Sequence, residues 1–160
     1  MECISIEEVS LRSDTESLFA KTLLIAAGSS FEYRLTKAVY EVFLNAQEGS
    51  STLASFVWNM AINRRYHTWF NWSGRNANGF FGSFGPDFQA HMQETVGKTD
   101  GLTDCVVAFL ELGNLRNALA HDDLASYALT KTVPEVVELY NKAKVFVEMF
   151  PIELRSFLEP

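Results

Sequence analysis

The chain has 160 residues, of which 48% are hydrophobic and 21% are charged, and no apolar run approaches the ~20 residues that cross a bilayer. These values exclude a disordered chain and a membrane-spanning one, and they predict a single globular domain over residues 1–160. The formal net charge of −7 also argues against a protein that binds nucleic acid over a broad basic surface, so any phosphate chemistry must come from a local site.

The first residues and the cysteines indicate the environment of the protein. Residues 1–8 are acidic and have neither the basic flank nor the cleavage site of a secretory signal. The two cysteines, Cys3 and Cys105, lie far apart and outside any metal-ligand spacing. We therefore expect a cytoplasmic protein with no membrane partner, no bound metal ion and no cofactor.

The first part of the chain is predicted to form three helices. The first spans residues 13–27 and is stopped by a Gly-Ser-Ser sequence at residues 28–30. Ser29 and Glu32 have the spacing of a capping box, which starts a second helix that is antiparallel to the first. A third helix covers residues 52–64. The apolar face of the second helix contains Phe31, Leu35, Ala38 and Val42.

Residues 66–86 form an unusual connecting segment. Glycine and asparagine are typical of a loop, yet seven residues of the segment are aromatic. A segment that exposed so many aromatic rings to water would make the protein insoluble. We therefore expect the segment to pack on the bundle or on a partner. His67 has an alternative role, because it could stack on RNA together with Trp69 or Trp72, but packing in a core is the favoured interpretation.

Three further helices complete the predicted fold. The first covers residues 87–96, and the second covers residues 102–120 with two apolar stripes, which is typical of a helix buried on more than one side. The last helix opens at Thr132, which has capping-box spacing to Glu135, and ends before Pro151. We therefore predict an all-α fold, a single compact bundle of five to six helices.

The most informative stretch closes the 102–120 helix and reads Arg116-Asn117-Ala118-Leu119-Ala120-His121. It combines a permanent cation with the one side chain that titrates near neutrality. At ~100° per residue, Asn117 and His121 share a narrow face, whereas Arg116 points about 140° away from His121. Two arrangements would bring both groups to one spot. Either the helix ends near Ala120 and frees His121, or a second copy of the chain lies alongside.

These residue types suit the cleavage of RNA without a metal ion. That reaction needs a base for the 2′-hydroxyl, an acid for the leaving 5′-oxygen and positive charge near the phosphorane. An imidazole suits the proton transfers, and a guanidinium suits the phosphate because it donates two parallel hydrogen bonds. One chain has a single histidine in this cluster, whereas two copies supply an acid, a base and two arginines. The chemistry therefore predicts a homodimer with one composite cleft.

The stretch from Arg116 to His121 resembles the R-(polar)-x-x-x-H motif of HEPN domains, the higher eukaryote and prokaryote nucleotide-binding helical family. The resemblance to the prokaryotic HEPN group associated with RiboL-PSP systems covers residues 29–150. It implies a helical bundle that dimerises through the motif helices. The resemblance to this HEPN group also extends to three other segments, namely Ser30-Phe31-Glu32, Tyr66-His67-Thr68-Trp69-Phe70 and Asn78-Gly79-Phe80-Phe81-Gly82.

The same resemblance implies an activity and its partners. Members of this family are often metal-independent endoribonucleases that act as toxins or effectors in toxin–antitoxin, abortive-infection or antiphage defence systems. By position, Arg116 and His121 are then the catalytic residues and Asn117 is the supporting polar residue. The implied partners are an RNA substrate, a second copy of the chain, and an antitoxin or another regulatory protein.

Simpler roles remain open for several of these residues. His121 also suits a cation at a helix C-terminus, stabilised by the helix dipole and by Asp122 or Asp123. Those two aspartates also suit ion pairs with Arg116. Glu32 is expected to be a capping residue, with contact to Arg116 as the alternative. Two other functions are a non-catalytic HEPN module that binds RNA, a nucleotide or a protein, and a purely structural dimerisation domain.

Overall fold

The computed structural model describes residues 6–46, 51–121 and 126–158. Within these ranges every regular element is helical, which confirms the predicted all-α bundle. None of the helices in these ranges has the length and apolar content needed to span a membrane. In chain order the elements are α1 (Ile6–Ala46), α2 (Ser51–Val57), a π-helical turn (Trp58–Ile62), α3 (Tyr66–Trp69), α4 (Asn78–Gly82), α5 (Pro86–Lys98), α6 (Leu102–His121) and α7 (Val133–Leu158).

The three long helices α1, α6 and α7 pack against one another and form the centre of the bundle. Phe109 of α6 lies in the middle of the core, where its ring packs 6.3 Å from Phe31 of α1 and 4.9 Å from Phe146 of α7. A smaller apolar cluster joins Leu119, near the end of α6, to Ala20 of α1. Because Arg116 packs beside Gly28, the C-terminal half of α6 runs antiparallel to α1.

The predicted break between two antiparallel helices at residues 28–30 is wrong, since α1 is one continuous helix. Its buried positions keep helical spacing straight through the Gly-Ser-Ser sequence. The burial of this face outweighs the ~1 kcal/mol by which glycine disfavours a helix. Glycine fits there because a Cβ at Gly28 would lie 2.8 Å from Cγ of Arg116. The buried face consists of Ala20, Leu24, Ala27, Phe31, Leu35, Ala38 and Val42.

The aromatic segment packs on the bundle, as predicted. It forms the short helices α3 and α4, and Tyr66, Phe70, Phe80 and Phe81 are buried. The helix predicted over residues 52–64 instead becomes α2 and the π-helical turn. The indole of Trp69 donates a 3.0 Å hydrogen bond to the Ala61 carbonyl in that turn and so ties the turn to the aromatic segment.

The last three helices lie close to their predicted positions. The predicted contact between Thr132 and Glu135 is present before α7, because Glu135 Oε2 accepts hydrogen bonds from the backbone N–H and the hydroxyl of Thr132, both at 2.7 Å. The predicted end before Pro151 is wrong, since α7 continues to Leu158. Phe150 and Leu154 are buried on the same face, and this packing keeps the chain helical beyond the proline.

Candidate functional site

Arg116 is held between two neighbours on the surface of the bundle. Its Nη2 donates to Oε2 of Glu32 at 2.7 Å, and its Nη1 donates to Oδ1 of Asn117 at 3.1 Å. The side chains of Arg116 and Glu32 are 26% and 35% exposed. The guanidinium is therefore fixed in direction yet still reachable from solvent.

Glu32 was expected to cap a helix, and this expectation is wrong because Glu32 lies inside the continuous α1. The alternative, contact with Arg116, is what the structure contains. Asp122 and Asp123, the other expected partners of Arg116, lie outside the described residues. The acidic partner on α1 is 84 positions from the arginine, which is why the pairing is invisible in the local sequence.

Gly28 and Tyr66 complete the surroundings of Arg116, and sequence reasoning gave neither of them a role there. The aliphatic stem of Arg116 fills the space that a side chain at Gly28 would need. Burial raises the pKa of the Tyr66 phenol, and the nearby Glu32 carboxylate raises it further, while Arg116 acts in the opposite direction. Tyr66 is thus a neutral hydroxyl close to the ion pair. A glycine inside an unbroken helical pattern was the available signal for Gly28.

Trp72 packs against the residues that surround Arg116. Its indole ring lies directly against Gly113 of α6, where an added Cβ would lie 2.0 Å from Cζ3 of the ring. The indole N–H donates to the His67 carbonyl at 2.9 Å, and the ring packs 5.5 Å from Tyr66. The imidazole of His67 is exposed, so the role of this side chain in stacking on RNA stays a prediction.

His121 is the last residue of α6, and it is exposed. The residues that follow His121 lie outside the described ranges, so the arrangement in which the helix ends near Ala120 and frees His121 stays a prediction. His121 lies five positions after Arg116 along the helix, which corresponds to about 140° around the axis and about 7.5 Å along it. Within one chain the structure brings Arg116 together with Asn117 and Glu32, whereas the helix directs His121 to a different side.

The chemical capacity of this site lies in its donors. A guanidinium has five N–H groups, and Glu32 and Asn117 each accept from one of its terminal nitrogens. The remaining donors suit a phosphate oxygen, and the exposed imidazole suits proton transfer. Among the described residues there is no group of three or more His, Cys, Asp or Glu side chains that could hold a metal ion.

Comparisons with known proteins identify the family. A family model described as RiboL-PSP-HEPN matches residues 2–156, which is nearly the whole chain. No curated protein and no solved structure matches. The match includes Arg116, Asn117 and His121, and it supports an RNA-related or nuclease module in general terms. The chain therefore belongs to the RiboL-PSP-HEPN family.

Proposed function

We propose that the protein is a metal-independent endoribonuclease of a defence or toxin–antitoxin system, acting in the cytoplasm as a homodimer. Arg116 and His121 of both chains surround the scissile phosphate. The observation that supports this proposal most directly is the clamped guanidinium of Arg116, which Glu32 and Asn117 orient while a quarter of its side-chain surface stays exposed. Membership in a HEPN family supports the same conclusion.

The proposed reaction is a transesterification within the RNA. One neutral imidazole takes the proton of the 2′-hydroxyl, and the 2′-oxygen attacks the adjacent phosphorus. Arg116 stabilises the charge that develops on the phosphorane oxygens. The second histidine, in its protonated form, gives a proton to the 5′-oxygen as the P–O5′ bond breaks. The products are a 2′,3′-cyclic phosphate and a 5′-hydroxyl, and the proton count balances between the two histidines.

Asn117 and Glu32 position the arginine in this proposal. A planar guanidinium stabilises a phosphorane only when its N–H groups point at the correct oxygens, and a fixed side chain loses less entropy on binding. Asn117 holds one end of the guanidinium and Glu32 holds the other. The carboxylate also competes with the substrate phosphate for the same cation, so RNA must displace or share this contact.

Substitution of the histidine tests the proposal. His121→Ala is expected to lower the cleavage of a labelled RNA by at least about 10²-fold, because a general acid or base contributes about that much. His91→Ala is the control, since His91 lies on α5, outside both the motif and the aromatic segment, where it contacts Glu153. Helical content, followed by circular dichroism, is expected to stay unchanged, and EDTA is expected not to inhibit. Wild-type cleavage by His121→Ala would refute the catalytic assignment.

A second candidate function is binding without cleavage, as a module that recognises RNA, a nucleotide or a partner protein. The Glu32 carboxylate favours it, because it neutralises much of the charge of Arg116, and the net charge of −7 favours it as well. A gel assay separates the candidates. Shortened RNA supports the enzyme, and retarded but intact RNA supports the binding module. RNA that is neither cut nor retarded supports a purely structural dimerisation domain.

A further inference from the structure

A cavity of about 530 Å³ lies between the C-terminal part of α1, the π-helical turn and the end of α7. On α1 its wall begins at Val39, which lies about 10 Å along the helix axis beyond Glu32. No residue of the described helix α6, which contains Arg116, lines the cavity. The cavity is therefore separate from the candidate site.

The floor of the cavity reaches the core of the bundle. Ile62, Phe88 and Leu154 line it, although each of them is at most 2% exposed. Ala61 and Ser83 also line it and are exposed, so the cavity is open to solvent on one side. This depth suits a molecule that enters the protein, whereas a partner protein that lies on the surface would reach only the rim.

The chemistry of the lining restricts what can bind. Among the described residues that line the cavity, none is acidic or basic, and only Trp69 and Ser83 have a polar group in the side chain. The indole N–H of Trp69 donates to the Ala61 carbonyl at 3.0 Å, and the Ser83 hydroxyl donates to the Gly79 carbonyl at 3.2 Å. A charged ligand would lose its hydration here without gaining a charged partner. The lining therefore selects an uncharged and largely apolar molecule.

Aromatic rings form much of the wall. Trp69, Phe80 and Phe84 all line the cavity, and the ring of Phe80 packs 5.4 Å from Trp69 and 5.3 Å from Phe84. Rings attract other rings through offset-stacked and edge-to-face contacts, beyond the effect of the area that they bury. A dry apolar cavity of roughly 150 Å³ already binds benzene, so one of about 530 Å³ has room for a molecule of about three rings.

The π-helical turn that forms one side of the cavity has an unusual backbone. The N–H of Asn63 donates to the Trp58 carbonyl, five residues earlier, at 2.7 Å. Arg64, which follows, has a φ of 59°, a left-handed conformation that few residues other than glycine adopt. Such turns are rare and frequently occur at functional sites, and strained backbone is found there too. A locally costly backbone at this wall favours a binding role over incomplete packing.

We propose that the cavity binds one uncharged aromatic small molecule, about three rings in size, in each copy of the chain. The removal of apolar surface from water drives binding, and ring contacts with Trp69, Phe80 and Phe84 orient the molecule. A ligand that binds only the folded chain also stabilises the fold. The inference is independent of the proposed nuclease, because none of Glu32, Arg116, Asn117 and His121 lines the cavity.

The first experiment uses N-phenyl-1-naphthylamine, an uncharged molecule of matching size whose fluorescence rises in apolar surroundings. A titration is expected to show one saturable site per chain, and a probe concentration of ten times Kd is expected to raise Tm by about 3–6 °C. The sulfonated analogue 1-anilinonaphthalene-8-sulfonate has the same rings and one negative charge. It is expected to bind at least about tenfold more weakly, because no described lining residue is basic. Absence of a saturable signal, or equal binding of the two probes, would overturn the proposal.

The second experiment tests the location. Ala61→Phe places a ring in the cavity from its exposed wall and is expected to raise the Kd of N-phenyl-1-naphthylamine at least about tenfold. Ala90→Phe is the matched control, since Ala90 is an exposed alanine on α5 that does not line the cavity. Ser83→Phe fills the cavity from another exposed position and is expected to give the same loss, so the test does not depend on the π-helical turn. If both filling variants keep their helical content in circular dichroism and bind the probe as tightly as the control, the probe lies elsewhere and the proposal is wrong.

Discussion

Gly113 is the position where the packing below the candidate site can be tested most sharply. It lies inside α6, and the indole of Trp72 occupies the space where any other residue would have its Cβ. The ring in turn packs 5.5 Å from Tyr66, the buried phenol next to the Glu32–Arg116 pair. The substitution Gly113→Ala adds one methyl group and changes no charge, so its effect reports on this contact and on the helix propensity of alanine.

The size of the effect follows from the geometry. The added Cβ would lie 2.0 Å from the ring carbon, whereas carbons at rest stay ~3.5–4.0 Å apart, so the indole must withdraw by about 1.5 Å. That shift breaks its 2.9 Å hydrogen bond to the His67 carbonyl, which costs about 1 kcal/mol. Overpacking costs a further ~1–3 kcal/mol, and alanine returns up to ~1 kcal/mol of helix propensity. We expect a net loss of about 2 kcal/mol.

Thermal unfolding followed by circular dichroism measures this loss. For a chain of 160 residues, about 2 kcal/mol lowers Tm by roughly 4–8 °C. Gly97→Ala is the matched control, because Gly97 lies in α5 with no atom within 4 Å of its ideal Cβ. This control is expected to keep or slightly raise Tm. If Gly113→Ala is as stable as the control, Trp72 does not rest on Gly113 and the reasoning fails.

Three further predictions concern single side chains. Glu32→Ala is expected to lower single-turnover RNA cleavage by about 10–100-fold because Arg116 loses its clamp, whereas Glu32→Gln keeps a hydrogen-bond acceptor and is expected to stay within about tenfold of wild type. Because the pKa of Tyr66 is raised, ionisation favours the unfolded chain above about pH 10, so Tyr66→Phe is expected to move the alkaline unfolding midpoint to higher pH. The hydrogen bonds from Thr132 lower the pKa of Glu135, so their stabilisation is present above about pH 4.3 and lost in more acidic solution. The Tm difference between wild type and Glu135→Gln should therefore shrink between about pH 5 and pH 3.

Elements defined by local signals could be predicted from the sequence. The capping box of Thr132 and Glu135 needs only four consecutive residues, and it begins α7 where expected. The two apolar stripes of α6 located that helix to within one residue of its C-terminal end. In both cases the stabilising contacts are close in the chain or follow one period, so the pattern contains the necessary information.

The break expected at Gly28 shows where this approach fails. Glycine and serine favour a turn locally, but seven buried residues on one face of α1 favour continuation. The reason for glycine at this position lies on α6, in the stem of Arg116, and no local pattern reveals it. The role of Tyr66 is not visible in the local sequence either, because its contribution to the site depends on how the aromatic segment folds under α1 and α6.

The candidate site divides in the same way. Arg116 and Asn117 are neighbours in sequence, so their hydrogen bond was within reach of the motif alone. The 140° offset between Arg116 and His121 was also predictable, because α6 remains helical through both residues. The acidic partner was predicted only as an alternative, since Glu32 was assigned first to a helix start that does not exist.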